Sequence, residues 1–128
     1  MGHPTTTCEE EEVKLDASAL AHAIVDLAEE HQAEDIVLLD LRAISILADY
    51  FVICSGTSTR QLQALVDAIE EGLDRQGKHP LHIEGTPESG WLLMDYGDVV
   101  VHIFSPEQRA YYALERFWEK AQVVVKVQ

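Results

Sequence analysis

The segment GWLLMDYGDVVVHIF, residues 90–104, constrains the fold of this chain more than any other. Two apolar runs meet at Tyr96 and Gly97, which predicts a two-stranded ribbon with a tight turn. Neither run alternates regularly between polar and apolar residues, so neither face of the ribbon has the pattern of a solvated sheet. The ribbon must therefore be covered, either by helices of its own domain or by another protein.

Two carboxylates, Asp95 and Asp98, flank the turn of this ribbon. Paired acids can hold a divalent metal, but Asp beside Gly is also common in turns for conformational reasons. A metal site of the nucleotidyl transferase type needs acids that project from the same side of a strand. Val100 and His102 occupy the next same-face positions, and no Lys or Arg lies nearby to hold a triphosphate. We therefore predict no metal site and no cofactor.

Other reactive side chains also lack catalytic spacing. The six histidines include no metal-ligand motif, and neither cysteine belongs to a CxxC pair. Cys54 lies in an apolar run and is predicted to be a buried, unreactive thiol. The segment CSGTSTRQ, residues 54–61, has neither the glycine spacing of a phosphate loop nor that of a nucleophile elbow. These patterns predict that the chain is not an enzyme.

The charge balance limits the kind of partner that the chain can bind. The 128 residues include 23 acidic and nine basic side chains, for a formal net charge of -14. Nucleic-acid binders gain affinity from clustered Lys and Arg, whereas the arginines here are scattered. We predict no nucleic-acid site, and a partner protein with a basic surface.

One folded domain is expected, with a tail at each end. Residues 1–15 contain four consecutive glutamates and no apolar run, which predicts a disordered acidic tail rather than a signal sequence. Residues 16–121 are predicted to form the domain, and residues 122–128 a C-terminal tail. No run approaches the roughly 20 apolar residues that span a bilayer, so we predict a cytoplasmic protein with no membrane partner.

The order of the predicted elements indicates an α/β fold. Helices are predicted to start at polar caps, namely Asp16, Ser58 and Ser105. Strands are predicted at residues 35–41, 50–55 and 81–84 and in both halves of the ribbon. The order α-β-β-α-β-β-β-α predicts a mixed five-stranded sheet packed with helices. The last helix is predicted to run to residue 121 and to bury Ala110, Leu114, Phe117, Trp118 and Ala121.

The composition of the ribbon favours a docking surface, with coverage of both faces by the helices as the alternative. Successive residues of a strand face opposite sides, and both sides of the first half are largely apolar. Three helices are few for covering two faces of five strands, and an uncovered patch of Trp, Met and Tyr has the composition of an interface hot spot.

Four segments of the chain resemble the ribosomal silencing factors, the RsfS or Iojap-like family. These segments are ADYFVICSGTSTRQ (48–61), EG (84–85), WLLMDYGDVVVHIF (91–104) and RAYYALERFW (109–118). Their order and spacing match over about residues 35–118, most of the chain. Several motifs in register make this resemblance specific.

The resemblance implies both a fold and a function. The fold would have a nucleotidyltransferase-like topology that lacks the catalytic acids. The function would be to bind the large ribosomal subunit through its fourteenth protein, to block joining of the small subunit and to repress translation when nutrients are limiting. Family members are often homodimers, and their interface positions match residues 91–96, with Asp95 and Asp98 beside them. The resemblance therefore implies these partner-binding residues: Trp91, Leu92, Leu93, Met94, Asp95, Tyr96 and Asp98. An enzyme that acts on nucleotides and a general ribosome-assembly module are the competing functions.

Overall fold

The computed structural model describes residues 16–117 and 121–127. In chain order its helices and strands are α1 (Asp16–Glu30), β1 (Glu34–Asp40), β2 (Tyr50–Ser55), α2 (Thr59–Asp74), β3 (His82–Thr86), β4 (Trp91–Asp95), β5 (Val99–Phe104), α3 (Pro106–Tyr112), α4 (Leu114–Phe117) and β6 (Gln122–Val127). A short 3-10 turn, Pro87–Ser89, connects β3 to β4. The predicted acidic tail at residues 1–15 lies outside the described residues. Among those described, no helix is long and apolar enough to cross a membrane.

The strands form one mixed sheet in the order β3-β4-β5-β2-β1-β6. Among the strands of the described residues, the β2–β5 pair is parallel and the other neighbouring pairs are antiparallel. The predicted α/β class with a mixed sheet is confirmed, with six strands where five were expected. β3 also extends to Thr86, two residues into the predicted turn.

Two long helices cover one face of this sheet. α2 buries the apolar stripe that its sequence predicts, at Leu62, Leu65, Val66, Ile69 and Leu73. α1 adds Ala21, Ile24, Val25 and Ala28, and the strands contribute alternate residues such as Leu38, Val52 and Val101. Full burial of each such aliphatic side chain stabilises the fold by about 1.5–3 kcal/mol. This face therefore holds the main core.

The start of α2 is held by side chains on both sides of its cap. Ser58 Oγ accepts from the backbone N–H of Gln61 at 3.0 Å, as the sequence predicts. The reciprocal bond is displaced by one residue, because Gln61 Oε1 accepts from the N–H of Thr57 at 2.8 Å. Gln61 Nε2 also donates to the carbonyl of Gln32 at 3.0 Å, which ties the end of α1 to the start of α2. The turn therefore serves to cap the helix and to join the two covering helices.

The end of the chain differs most from the prediction. The C-terminal tail expected at residues 122–128 is wrong for residues 122–127, which form β6 and pair antiparallel with β1. A run of three β-branched residues, Val123, Val124 and Val125, is the sequence signal for this strand. β1 would otherwise be an edge strand, so the pairing gives its second row of backbone groups a partner.

The predicted last helix is broken into two shorter helices, α3 and α4. α3 ends at Tyr112, because Ala113 adopts the left-handed conformation (φ 47°, ψ 49°) and donates its N–H to the Arg109 carbonyl at 2.8 Å. Ala113 thus changes the direction of the chain. A straight helix to residue 121 would have carried the chain away from β1. Ala110 is exposed, contrary to the prediction, whereas Leu114 and Ala121 do pack against the sheet. The side chains of Phe117 and Trp118 lie outside the described part of the chain.

Gly85 is predicted to be essential to the ribbon's packing against β3. Its φ is +90°, and a Cβ there would overlap the Trp91 carbonyl oxygen across the strand pair. We expect Gly85→Ala to lower the free energy of unfolding by about 3 kcal/mol or more, because backbone strain adds to the overlap. Gly77→Ala is the control, since Gly77 has φ +78° with no atom within 4 Å of the added Cβ, and should cost about 1–2 kcal/mol. Equal losses in urea titrations of the two variants would contradict the close-approach argument.

Candidate docking face

The sheet face opposite α1 and α2 is covered only in part by the described residues. The α3–α4 segment reaches β1, β2 and the end of β5, where Leu114 and Ala121 pack on a second buried cluster: Val37, Leu39, Leu41, Ile53 and Phe104. The strand registers bring further residues of β3, β4 and β5 to the same face, and six of them form a patch around Trp91 and Leu93. We call these the tryptophan face: His82, Glu84, Trp91, Leu93, Asp95 and Val100. None of the six is fully buried, so this part of the sheet is open to a partner.

The seven residues predicted to bind a partner divide between the two faces of the sheet. Leu92 and Met94 point into the main core beneath α1 and α2 and are 3% and 0% exposed. Tyr96 is half-buried against the same core. The prediction that Leu92 and Met94 contact a partner is therefore wrong for this conformation, because the helices cover that face. Trp91, Leu93 and Asp95 share the open face.

Trp91 is half-buried in a cluster of aromatic rings. Its indole stacks on Phe104, with ring centroids 5.1 Å apart and planes at 26°, and contacts Tyr112 of α3 at 4.4 Å. Rings at these separations gain about 0.5–1.5 kcal/mol per pair beyond their buried area. Trp91 thus contributes to the fold as well as to the exposed surface, and its truncation would test both roles at once.

His102 lies below Trp91 and is 4% exposed. Trp91 Nε1 donates to His102 Nδ1 at 3.2 Å, and the imidazole contacts Phe51 edge-on at 4.6 Å. Burial disfavours the charged ring and lowers the pKa of His102 from about 6.5 to about 4. His102 is therefore neutral at physiological pH, with Nδ1 acting as an acceptor.

The two acids at the turn have different surroundings. Asp95 Oδ1 accepts the N–H of Gly97 at 2.7 Å, so this half-buried carboxylate holds the turn. Asp95 Oδ2 is 3.8 Å from Nε2 of the exposed His82, a distance at which a surface ion pair contributes little. Asp98 is exposed, and its backbone carbonyl accepts from the N–H groups of Asp49 and Tyr50 at 2.7 and 3.1 Å. Only Asp98 combines an exposed carboxylate with a backbone that holds its position.

An open groove of about 260 Å³ runs beside Trp91. Leu93 and Tyr112 supply apolar walls, and Glu84 supplies a carboxylate. Together with Asp95 and Asp98, Glu84 gives an apolar surface bordered by negative charge. Such a surface matches an apolar side chain carried on a basic protein.

Tyr112, Glu84 and His102 belong to this site but were not predicted as part of it. Tyr112 lies in the segment RAYYALERFW (109–118). In that segment Ala110, Leu114, Phe117 and Trp118 were predicted to be the buried side of a longer helix. Glu84 lies opposite Leu93 on β3, outside the ribbon. His102 could have been found from the ribbon alone, because antiparallel pairing places it directly opposite Leu93. That inference needs the register, which a single sequence fixes only after the turn is placed.

The thiol of Cys54 plays no part in this face. It is fully buried in the main core, and desolvation raises its pKa to about 12. A thiol with so high a pKa carries almost no thiolate at neutral pH, so it is a poor nucleophile. The predicted burial of Cys54 is confirmed. Among the described residues, no group of three or more His, Cys, Asp or Glu side chains could hold a metal ion.

We predict a pH-dependent contribution of His102 to stability. Its folded pKa of about 4 lies below the usual value of about 6.5, so the unfolded chain binds the extra proton first. The contribution is complete above about pH 6.5 and is lost as the pH falls towards 4, for a total of about 3 kcal/mol. The free energy of unfolding of the wild type should therefore fall towards that of His102→Asn over this interval. A pH-independent difference between the wild type and His102→Asn in urea titrations would contradict the prediction.

Comparison with known proteins gives a consistent result. The family described as RsfS, ribosomal silencing factor during starvation, matches residues 14–128. The chain is 45% identical over 93 residues to a ribosomal silencing factor RsfS of Bacillus subtilis, covering 73% of this chain and 79% of that protein. It is 37% identical over 98 residues to the mouse protein named mitochondrial assembly of ribosomal large subunit protein 1, covering 74% of this chain and 43% of the mouse protein.

A solved structure agrees with this assignment. The crystal structure of a Chromobacterium violaceum protein superposes with a TM-score of 0.77 and 30% sequence identity, covering 84% of this chain and 92% of that one. The family description names a silencing factor and no catalytic activity, in agreement with the prediction that the chain is not an enzyme. Because the family match extends over nearly all of the sequence, this chain belongs to the RsfS family of ribosomal silencing factors.

Proposed function

We propose that this chain binds the large ribosomal subunit through the tryptophan face and thereby prevents the small subunit from joining. The observation that carries the proposal is the match to the silencing factor family over residues 14–128. The consequence would be reduced translation during nutrient limitation, in keeping with the starvation named in the family's description. The site of action would be the cytoplasm, where subunits join.

The tryptophan face supports a protein as the direct contact. Trp91 and Tyr112 lie side by side next to an open groove, and Trp and Tyr are enriched among residues that dominate binding energy. Trp91 is already held by Phe104 and His102, so little side-chain entropy would be lost on binding. We take the fourteenth protein of the large subunit as the specific partner, since the resemblance of the ribbon to the family implies it.

Charge supports the same choice of partner. Glu84 and Asp95 lie on the tryptophan face, Asp98 lies at the adjoining β4–β5 turn, and the chain as a whole carries a formal charge of -14. Ribosomal RNA would be repelled by this field, whereas a basic ribosomal protein would be attracted. The acids would then act on the association rate and on the choice of partner more than on the final affinity.

The name of the mouse relative favours a second candidate, a role in assembly of the large subunit. Both functions begin with binding to that subunit, so binding alone does not separate them. A silencing factor added to purified mature subunits should reduce the formation of joined ribosomes. An assembly module should leave joining unchanged, and its loss should instead leave incomplete large subunits in the cell.

Sedimentation of the purified protein with isolated subunits tests the proposed function. We expect it to co-sediment with large subunits and not with small ones. Leu93→Glu should weaken this binding at least tenfold, about 1.4 kcal/mol, because it places a charge in the apolar centre of the face. Val123→Glu is the matched control, at an exposed valine on the opposite edge of the sheet, and should bind as the wild type does.

Either of two results would contradict this proposal. Equal binding of the wild type to both subunits would remove the choice of the large one. A folded Leu93→Glu variant with wild-type affinity would remove the tryptophan face from the interface. Thermal melts of both variants must accompany the binding data, because Leu93 is half-buried.

Asp98→Asn is predicted to weaken large-subunit binding only at low salt. Its melting temperature should stay within a few degrees, because the Asp98 backbone carbonyl makes the bonds to Asp49 and Tyr50. The loss should be roughly two- to fivefold, the scale of an exposed charge pair. It should shrink as salt rises, since the screening length is about 8 Å at physiological ionic strength.

The control for this experiment is Asp26→Asn, an exposed acid on α1, on the other side of the sheet. It removes the same charge from the chain while leaving the tryptophan face unchanged. Parallel salt dependence of the two variants would mean that only net charge matters. Wild-type binding by Asp98→Asn at every salt concentration would leave Asp98 as a turn residue alone.

A further inference from the structure

The contact between Trp91 and His102 bears on how the tryptophan face is built. Indole Nε1–H can only donate, so the 3.2 Å approach to His102 Nδ1 requires an unprotonated Nδ1. The proton of the neutral ring then resides on Nε2. The strand register explains why Trp91 and His102 are close. Trp91 pairs with Phe104, and His102 lies two residues before Phe104 on the same strand, so it is the diagonal neighbour of Trp91.

The imidazole is itself fixed on two sides. Phe51 meets its edge at 4.6 Å and 65°, and Phe104 lies parallel to it at 6.1 Å and 9°. The same Phe104 stacks on the indole, so a single ring orients both partners of the hydrogen bond. The direction of Nδ1 is therefore set before a ligand arrives.

The burial of the other ring nitrogen, Nε2, argues against a role for His102 in packing alone. His102 Nε2 is buried and has no hydrogen-bond partner among the described residues. A buried polar atom without a partner costs about 1–3 kcal/mol, a cost that an apolar side chain at this position would avoid. The benefit that offsets this cost is the acceptor that Nδ1 presents to Trp91.

We propose that His102 is a positioning residue, whose Nδ1 holds the indole of Trp91 in the orientation that the docking face presents. The role rests on the proposed function, because orientation matters only if Trp91 contacts a partner. His102 itself is covered by the aromatic cluster and does not touch the ligand. It acts by removing the rotational freedom that Trp91 would otherwise lose on binding.

A matched pair of variants separates this role from packing. Asn and Leu both branch at Cγ, but only Asn retains an acceptor close to the position of Nδ1. We expect His102→Leu to fold with unchanged or higher stability, to shift the Trp91 indole proton resonance and to increase its exchange with solvent. Its affinity for purified large subunits should fall about tenfold. His102→Asn should keep the indole signal, and an affinity within about threefold of the wild type, despite lower stability.

Nuclear magnetic resonance of the full chain, without ribosomes, gives the first measurement. The chain contains two tryptophans, and Trp91→Phe identifies the Trp91 signal by its disappearance. In the wild type, the imidazole nitrogens of His102 should show a proton on Nε2 and none on Nδ1. A proton on Nδ1 would overturn the proposal, even if His102→Leu failed to fold.

The binding measurement gives the second test. A folded His102→Leu variant with an unchanged indole signal and unchanged affinity would overturn the positioning role, as would affinity losses that follow only the stability of the two variants. Failure of the proposed function looks different. In that case the indole and imidazole signals would behave as expected, but the wild type itself would not bind large subunits.

Discussion

The parallel pairing of β2 with β5 is the constraint on which the rest of this structure depends. Parallel neighbours cannot be joined by a hairpin, so the chain must cross over the sheet between them. The crossover at residues 56–98 contains α2 and the β3–β4 pair, and it places the helix on one face of the sheet and the β3–β4 pair at one edge. α1 packs beside α2, so both long helices lie on the same side. Among the residues that the structure describes, the opposite side is covered mainly by the short α3–α4 segment, and these residues leave the tryptophan face open.

Local sequence signals predicted the elements whose structure depends on near neighbours. The cap at Ser58, the α2 stripe and the extended character of both ribbon strands follow from spacing alone, and the structure has all of them. The apolar run of β1 is buried at four consecutive positions, as expected for a strand with no polar residue in that run. These features can be predicted without knowledge of the tertiary contacts.

Features set by distant parts of the chain could not be predicted in the same way. Leu92 and Leu93 are identical side chains in adjacent positions, yet one is in the core and the other on the open face. Which of the two leucines is buried depends on the face of the sheet against which the crossover helix packs. The sequence of the ribbon does not determine that face. β6 was missed because its partner, β1, is more than 80 residues away, and the last helix was overextended because its break at Ala113 serves that pairing. Register likewise decides that His102 meets Trp91.

The left-handed backbone of Gly85 has a consequence for the free edge of the sheet. β3 is an edge strand, and an exposed edge can template the addition of a strand from another molecule. A residue at φ +90° interrupts the regular row of outward N–H and C=O groups, and Glu84 adds a charge beside it. An incoming strand would meet an irregular, negatively charged ladder. Recognition at this end of the sheet is therefore left to side chains, and the edge beside the tryptophan face is protected against the ordered aggregation to which open β-sheets are prone.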